Sequence, residues 1–346
     1  MTHRERLLAA LSREPVDRPP VICPGGMMSA AVVEAMDHCG YAWPQAHVEA
    51  EAMAGLALAM YDLGALENLA VPFCMTIEAD ALGAQVNLGD RITQARVDQE
   101  PYQSALELLE QAHPPIAASR RAQTMLRALE RVLRERPEAP VIGNLVGPVS
   151  LATSLVLPDV FLKQMFRQPQ VTQEALERLT DLLLNFGAEQ IAKGVEVIAI
   201  ADPTATGEIL GPRLFRTQAA PVLARLTQGL QALGARVIVH ICGNVHAVGP
   251  LLGQIGADAI SVDDMVSLRR LREQVPNAAV MGNFSAVRLE KDPPERIARW
   301  VQRIGLRRAD IIAPACAMVP TTPLANLQAL VRSAAVVSDP QGGAEL

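Results

Sequence analysis

Aromatic residues are scarce in this sequence, although half of it is hydrophobic. Phe, Trp and Tyr make up only 3% of the 346 residues, whereas hydrophobic residues together make up 50%. The core must therefore be built from Val, Leu, Ile, Ala and Met. Such a composition is normal for α/β proteins, whose parallel strands are buried on both faces.

The sequence also lacks a long apolar run and a basic cluster. No stretch reaches the roughly 18 uninterrupted apolar residues of a membrane-spanning helix, and residues 1–8 are charged where a signal peptide is apolar. A net charge of −6 without a basic stripe offers little attraction to nucleic acids or anionic lipids. We expect a cytoplasmic protein with small-molecule or protein partners, and neither a nucleic-acid partner nor membrane association.

Cysteine is too sparse for a disulfide framework, and the common nucleotide-binding loops are missing. Five Cys in a chain of 346 residues are more typical of metal binding or catalysis than of cross-linking. No GxGxxG motif or P-loop follows an early strand, which argues against an open, doubly wound dinucleotide-binding sheet.

What the sequence does contain is a regular alternation of short apolar runs and helical stretches. The apolar runs predict eight strands, at residues 21–23, 66–72, 140–146, 195–201, 235–240, 258–262, 278–283 and 310–314. The helical stretches between the later strands are 170–193, 213–233, 245–255, 265–274 and 293–305. Eight strand–helix units are the repeat of a TIM barrel, so we predict an α/β fold of the (β/α)8 type.

The predicted barrel is a single domain over residues 1–346, with an N-terminal extension that includes a helix at 2–12. Residues 73–139 follow the second strand and are less regular, so we interpret them as an insertion. This insertion contains a candidate hairpin arm at 83–89 and a long helix at 119–135. Residues 338–346 form a polar, flexible tail.

The fifth predicted strand carries a histidine and a cysteine two positions apart. Strand side chains repeat with period two, so His240 and Cys242 should point the same way. Together with Cys316, after the eighth strand, they form a His/Cys/Cys set that suits zinc and leaves one tetrahedral position open. All three lie at carboxyl ends of strands, where barrel active sites are found. The alternative is that each is simply a buried core residue, as we also allow for Cys23 and Cys74.

Other polar residues at strand ends are candidates for the same rim. Asp202 ends the fourth strand and is a candidate catalytic residue, while Asp263 and Asn283, after the sixth and seventh strands, are candidates for contacts to a cofactor. Either Asp263 or Asp264 could occupy the fourth zinc position until a substrate displaces it, and water is the third option. The alternative role for these aspartates is a helix N-cap.

The expected ligand set predicts a class of chemistry. A zinc ion with two thiolates and one imidazole is a weaker Lewis acid than one with three imidazoles, so it is less suited to activating water. It would instead bind a thiol, whose ordinary pKa is about 8.5, and hold it as a thiolate at neutral pH. Alkyl transfer to sulfur fits this site better than hydrolysis does.

Several stretches spread over the chain carry a family resemblance. They are RERLLAAL (4–11), DRPP (17–20), CPGGMM (23–28), ADP (201–203), GEILGP (207–212) and HICG (240–243), with Cys316. Together they resemble the uroporphyrinogen decarboxylase superfamily and, within it, the methylcobamide:coenzyme M methyltransferases, over about residues 4–335 of the chain. The resemblance implies a (β/α)8 barrel, a zinc ion held by His240, Cys242 and Cys316, and methyl transfer from a methylated corrinoid, such as methylcobalamin, to a small thiol.

The N-terminal loop departs from the decarboxylase pattern. Decarboxylases of this superfamily hold substrate carboxylates with arginines there, whereas residues 24–28 contain none, which argues against porphyrinogen decarboxylation. Gly25, Gly26 and Met27 could instead let a large planar macrocycle approach the backbone. No Asp is followed by His two positions later, so the Asp-x-His-x-x-Gly pattern of corrinoid-carrying domains is absent. The corrinoid should therefore arrive on a separate protein or as free cofactor.

Two other functions compete with zinc-dependent methyl transfer. One is a lyase resembling uroporphyrinogen decarboxylase, with Asp202 as the charge partner of a polycarboxylate, which would be active without metal. The other is a non-catalytic corrinoid- or tetrapyrrole-binding protein with a structural zinc, which would bind methylcobalamin without demethylating it. The sequence leaves the thiol acceptor, the upstream methyl donor and the oligomeric state open.

Overall fold

A computed structural model describes residues 1–24 and 30–336 of the chain, without the side chains of residues 303–308 and 336. Gly25, Gly26 and Met27, the predicted macrocycle contacts, therefore lie outside the described residues, as does the predicted tail at 338–346. Within the described ranges, no helix combines the length and apolarity needed to cross a membrane.

The described strands form one parallel sheet and one hairpin. In chain order they are β1 (Leu69–Ala70), β2 (Gln85–Asn87), β3 (Arg96–Gln99), β4 (Val141–Val146), β5 (Val197–Ala201), β6 (Arg236–Ile241), β7 (Ala259–Val262) and β8 (Ala279–Met281). The parallel sheet has the order β1-β4-β5-β6-β7-β8, and β2 pairs with β3 antiparallel. The sheet strands are almost entirely buried, which explains why they appear in the sequence as continuous apolar runs.

Helices connect the strands and cover the outside of the sheet. They are α1 (His3–Leu11), α2 (Val33–Cys39), α3 (Ala50–Asp62), α4 (Ile77–Ala81), α5 (Ala105–Glu110), α6 (Arg120–Glu135), α7 (Pro148–Leu155), α8 (Pro158–Arg167), α9 (Pro169–Ala192), α10 (Gly207–Leu214), α11 (Ala220–Ala232), α12 (Gly249–Leu252), α13 (Leu268–Gln274), α14 (Ala286–Lys291), α15 (Pro294–Arg308) and α16 (Leu324–Val336). The predicted helix at 213–233 is interrupted, because a π-helical turn at Phe215–Ala219 joins α10 to α11. The one predicted at 245–255 is shorter and comprises α12 and a 3-10 turn at Gly253–Ile255.

Two predicted strands, at 21–23 and 310–314, are too short to be regular strands, yet they close the barrel. Parallel bridges join Met281 to Ile311 and Val21 to Ile312. On the other side, the Glu67 amide donates to the Val21 carbonyl oxygen at 3.0 Å, just before β1 begins. Backbone pairing thus runs around a ring of eight parallel segments, and the predicted α/β barrel is confirmed.

The region 73–139 contains the predicted hairpin, now β2 and β3, and the predicted long helix, now α6. Ser119 caps α6 by accepting a hydrogen bond from the Ala122 amide. Helix α6 packs against α3 and β4, the position of a barrel helix between β1 and β4. The division of the chain into one domain with an insertion stays a prediction.

Glu67 stabilises the segment at residues 21–23, which closes the barrel. Its side chain is 2% exposed and pairs with Arg18, which is 11% exposed. One carboxylate oxygen of Glu67 accepts from Arg18 Nη1 at 2.9 Å and from the Val21 amide at 2.8 Å. Next to it, the Asn68 side chain makes two hydrogen bonds with the Cys23 backbone, at 2.9 and 2.8 Å. These side chains replace the hydrogen bonds that a longer strand would make.

We therefore expect Glu67→Gln to lower the free energy of unfolding by about 3 kcal/mol, because it leaves the buried Arg18 guanidinium without its anion. Glu196→Gln is the matched control, since its pair with Arg4 is about half exposed on both sides and contributes less than about 1 kcal/mol. Urea unfolding of the two variants measures the difference. Equal effects would contradict the role given to Glu67.

Candidate metal centre

The carboxyl end of β6 presents the two ligand types expected from the sequence. His240 is the fifth residue of β6, and Cys242 follows the strand directly. Gly243 comes next with a φ of +72°, a left-handed conformation that Gly adopts without strain, and it turns the chain away from the rim. His240 and Cys242 therefore end the strand on the same side of the sheet.

The structure brings Cys316 to this pair. One ligand atom from each of His240, Cys242 and Cys316 can be chosen so that all lie within 4.8 Å of one another. The two sulfur atoms are 3.1 Å apart. Cys316 reaches the pair because the segment before it bridges β8 and its following loop, through Met281 with Ile311 and Phe284 with Pro314. We call these three residues the rim cluster.

The His240 ring is fixed so that one nitrogen remains available. Its Nδ1 is 3.0 Å from Ser261 Oγ on the neighbouring strand β7. In the described part of the chain its Nε2 has no hydrogen-bond partner, although the residue is only 2% exposed. A buried polar atom without a partner indicates a missing ion or ligand. Nε2 next to two sulfurs fits a zinc ion, whose histidine ligands commonly hold their second nitrogen in a hydrogen bond.

The sulfurs of the rim cluster differ in their affinity for protons. A hydrogen bond from Cys242, assisted by His240, lowers the pKa of Cys316 to about 4. The hydrogen bond to Cys316, together with burial and Asp263, raises the pKa of Cys242 well above its usual range. Two sulfurs this close share one proton, and a bound cation would favour the loss of that proton.

Asp263 adjoins the rim cluster, whereas Asp264, next to it in the chain, is exposed. Asp263 Oδ2 lies 3.2 Å from Cys242 Sγ and accepts from the Gly243 amide at 3.2 Å. The side-chain amide nitrogen of Asn283 donates to the Asp263 and Val266 carbonyl oxygens, at 2.7 and 2.8 Å. It thereby holds the loop that carries Asp263.

Asp202 is fully buried, and its carboxylate caps the start of the neighbouring helix α7. Its carboxylate accepts from the Val149 amide at 3.2 Å, the Ser150 amide at 2.8 Å and Ser150 Oγ at 2.6 Å, which are donors in the first turn of α7. A Cβ at Gly147 would lie 2.2 Å from the Asp202 Cβ, so only Gly permits this approach. Burial raises the pKa of Asp202 to about 6 despite these hydrogen bonds. None of these contacts involves the rim cluster, and the predicted catalytic role of Asp202 stays a prediction.

Sequence reasoning missed three residues at this rim. Ser261, which holds His240, is the one polar residue in an otherwise apolar strand, a signal that was present in the sequence. Glu78 lies on α4, within the irregular region, and is buried against the Val146 amide at the end of β4. Arg121, at the start of α6, is likewise buried. Neither Glu78 nor Arg121 stands out in the sequence, because their burial depends on how α4 and α6 pack.

The chain matches a known protein family over almost its whole length. The family model described as "Uroporphyrinogen decarboxylase (URO-D)" matches residues 2–336. The chain belongs to the URO-D family. The resemblance stated from the sequence is thereby confirmed.

Relatives of this URO-D protein include two methylcobamide:CoM methyltransferases. MtaA of Methanosarcina barkeri is 33% identical, with 95% of this chain and 96% of the relative aligned. MtbA of Methanosarcina acetivorans is 31% identical, with 96% and 97% aligned. A solved methyltransferase from Methanosarcina mazei has a TM-score of 0.89 at 31% identity, covering 96% of this chain and 98% of that chain.

Ser261→Ala should weaken zinc binding at least about tenfold, because His240 loses the hydrogen bond that orients its ring. Ser154→Ala is the control, since that hydroxyl donates only within α7, to the Ser150 carbonyl oxygen at 2.9 Å. Competition with a zinc-binding dye measures both affinities. Unchanged affinity in the Ser261 variant would mean that His240 needs no such support.

Asp202→Asn should lower the free energy of unfolding by about 2 kcal/mol, since one amide oxygen cannot replace a carboxylate that accepts three hydrogen bonds. Zinc content should stay unchanged. Asp159→Asn, at the exposed first turn of α8, is the control and should have no measurable effect. Urea unfolding and metal analysis of the same samples separate a structural role from a metal-binding one, which loss of zinc would reveal.

Proposed function

We propose that this URO-D protein is a zinc-dependent methyltransferase that moves a methyl group from a methylated corrinoid to a small thiol such as coenzyme M. The observation that carries the proposal is the rim cluster itself, a buried imidazole and two sulfurs at the carboxyl end of the barrel. End-to-end similarity to methylcobamide:CoM methyltransferases supports it.

In this proposal His240 Nε2, Cys242 Sγ and Cys316 Sγ hold the metal. A bound zinc would supply the positive charge that keeps an incoming thiol deprotonated at neutral pH. Ser261 orients the imidazole. Asp263 is the preferred fourth ligand in the absence of thiol, because its carboxylate already lies 3.2 Å from Cys242 Sγ while Asp264 is exposed.

The proposed reaction places few demands on acid–base groups of the chain. The acceptor sulfur forms a bond to the methyl carbon, and the electron pair of the Co–C bond stays on cobalt, which becomes Co(I). The protein must hold the acceptor, keep water out and leave the rim open to a macrocycle. Loops at the carboxyl end of a barrel commonly form its substrate site, which suits this last requirement.

The corrinoid is proposed to arrive on a separate carrier protein or as free methylcobalamin. Asp263 and Asn283 remain candidates for its contacts, as do Gly25, Gly26 and Met27. Since the Asn283 amide is engaged by two carbonyl oxygens of the Asp263 loop, we propose that it shapes the rim rather than binding the macrocycle directly. The cytoplasmic location stays a prediction.

We expect the purified protein to contain about one zinc per chain and to demethylate methylcobalamin when a suitable thiol is added. Cys242→Ser and Cys316→Ser should each lose most of the zinc and at least about 99% of the transfer rate, because an oxygen ligand is harder and less readily ionised than a thiolate. Cys39→Ser, at the end of α2, is the control.

Metal analysis and the visible spectrum of the corrinoid measure these outcomes across coenzyme M, homocysteine and tetrahydrofolate. Full zinc and full transfer in the Cys316 variant would refute the proposal. Methylcobalamin binding without demethylation under any acceptor would favour a binding protein, and substrate decarboxylation without metal would favour a lyase.

A further inference from the structure

A second group of chemically active side chains lies at the same end of the barrel, apart from the rim cluster. Cys74, in the segment after β1, is only 5% exposed. Its sulfur accepts hydrogen bonds from Arg121 Nη2 at 3.1 Å and from Thr76 Oγ1 at 3.3 Å. A sulfur atom that accepts from two donors, one of them charged, is in a setting that favours the thiolate.

The charge on Arg121 has few other anions to balance it. Its remaining hydrogen bonds go to the carbonyl oxygens of His47 at 3.4 Å and Thr76 at 3.2 Å and to the Thr76 hydroxyl at 3.0 Å. Its ion pair with Asp80 is 3.9 Å long, and that carboxylate is one-third exposed. A buried guanidinium needs a close counter-charge. The Cys74 sulfur, at 3.1 Å, can provide it.

His47 adds a second, independent observation. It is 1% exposed and stacks on Trp43, with ring centroids 5.7 Å apart. In the described part of the chain, neither of its ring nitrogens has a hydrogen-bond partner. Burial alone would raise the pKa of Cys74, but His47 and Arg121 outweigh it and lower the pKa to about 6. An imidazole beside a thiol is the arrangement that activates cysteine nucleophiles.

Cys74 also faces a cavity at the barrel rim. With Glu78, Asn144 and Val146 it lines a small cavity of about 10 Å³, room for about one water molecule, at the carboxyl ends of β1, β4 and β5. The register sets Val146 beside Ala201 and Ala201 beside His240. Two strand spacings place Val146 about 10 Å from His240, and Cys74 follows β1, one strand further along the sheet. The sulfur is therefore near the substrate end of the barrel but is not a ligand in the cluster.

We propose that Cys74 is a second reactive thiolate of this protein, held by Arg121 and Thr76 at the wall of the rim cavity, and its preferred site of modification by small neutral alkylating agents. The sulfur lone pair forms the S–C bond and the leaving group departs with its electron pair, so no proton has to move. Alkylation removes the counter-charge of Arg121. The proposal does not rest on the proposed methyl transfer.

The charged and titratable groups around Cys74 come from three elements. They are His47 from the 3-10 turn Gln45–His47, Glu78 and Asp80 from α4, and Arg121 from α6. Burial, assisted by the charge of Cys74, raises the pKa of Glu78 to about 7. His47 and Arg121 both lower the pKa of Cys74, His47 the more strongly, and Arg121 carries a permanent positive charge.

The test is limited alkylation of the zinc-loaded full chain with iodoacetamide, followed by peptide mass spectrometry. Cys74 should react at a rate that changes less than about twofold between roughly pH 7 and pH 8.5, whereas an ordinary thiol accelerates about tenfold or more over this range. Cys39, half-buried at the end of α2, is the internal reference. In Arg121→Met, Cys74 should react more slowly at about pH 7 than at about pH 8.5, because its pKa rises when the guanidinium is removed. Arg131→Met, on the same helix but paired with Glu135, should leave the pH dependence flat.

A second measurement keeps the proposal testable if Arg121→Met does not fold. The thiolate absorbance of the zinc-loaded protein is compared with that of Cys74→Ser at about pH 7 and about pH 5. A difference at neutral pH that disappears in acid is expected. If the two proteins show no difference in absorbance, Cys74 is not a thiolate. If they differ but Cys39 is alkylated before Cys74, then Cys74 is not the preferred site of alkylation. Either result is independent of zinc content and methyl transfer.

Discussion

Parallel pairing in a fixed register is the constraint on which this molecule depends. Because every strand of the barrel runs in the same direction, all carboxyl ends meet at one rim, and Val146, Ala201, His240 and Ser261 lie side by side there. A shift of one residue in β6 would point His240 and Cys242 to the opposite face. The register is kept by strands buried on both faces, where no polar alternative exists.

Several buried polar groups of the barrel are held by partners from other elements. Asp202 accepts three hydrogen bonds from the start of α7, Glu67 pairs with Arg18, and His240 Nδ1 lies against Ser261. Among the described residues, nine buried polar side-chain atoms lack such a partner, and His240 Nε2 and both nitrogens of His47 are three of them. These three differ from the other six in lying next to cysteine sulfur.

The two sulfur environments use different sources of positive charge. At the rim cluster, Cys242 and Cys316 share a proton until a cation arrives, so the site is suited to a metal. At Cys74 the cation is built into the chain as Arg121, which cannot leave or exchange. In our proposals, one site binds and releases a sulfur substrate through a metal, while the other holds a thiolate after β1, three strands from β6 in the sheet order.

The sequence by itself determined the eight parallel segments, the α/β barrel and the family, because apolar runs of strand length and the HxC pair are local patterns. It also indicated that His240, Cys242 and Cys316 fall at carboxyl ends of strands. Only the tertiary structure decided which side chains contact one another. Asp202 sits in a glycine-lined gap beside α7, Asp263 rather than Asp264 adjoins Cys242, and Arg121 from α6 reaches Cys74. Those outcomes depend on how helices distant in sequence pack, and local periodicity carries no information about it.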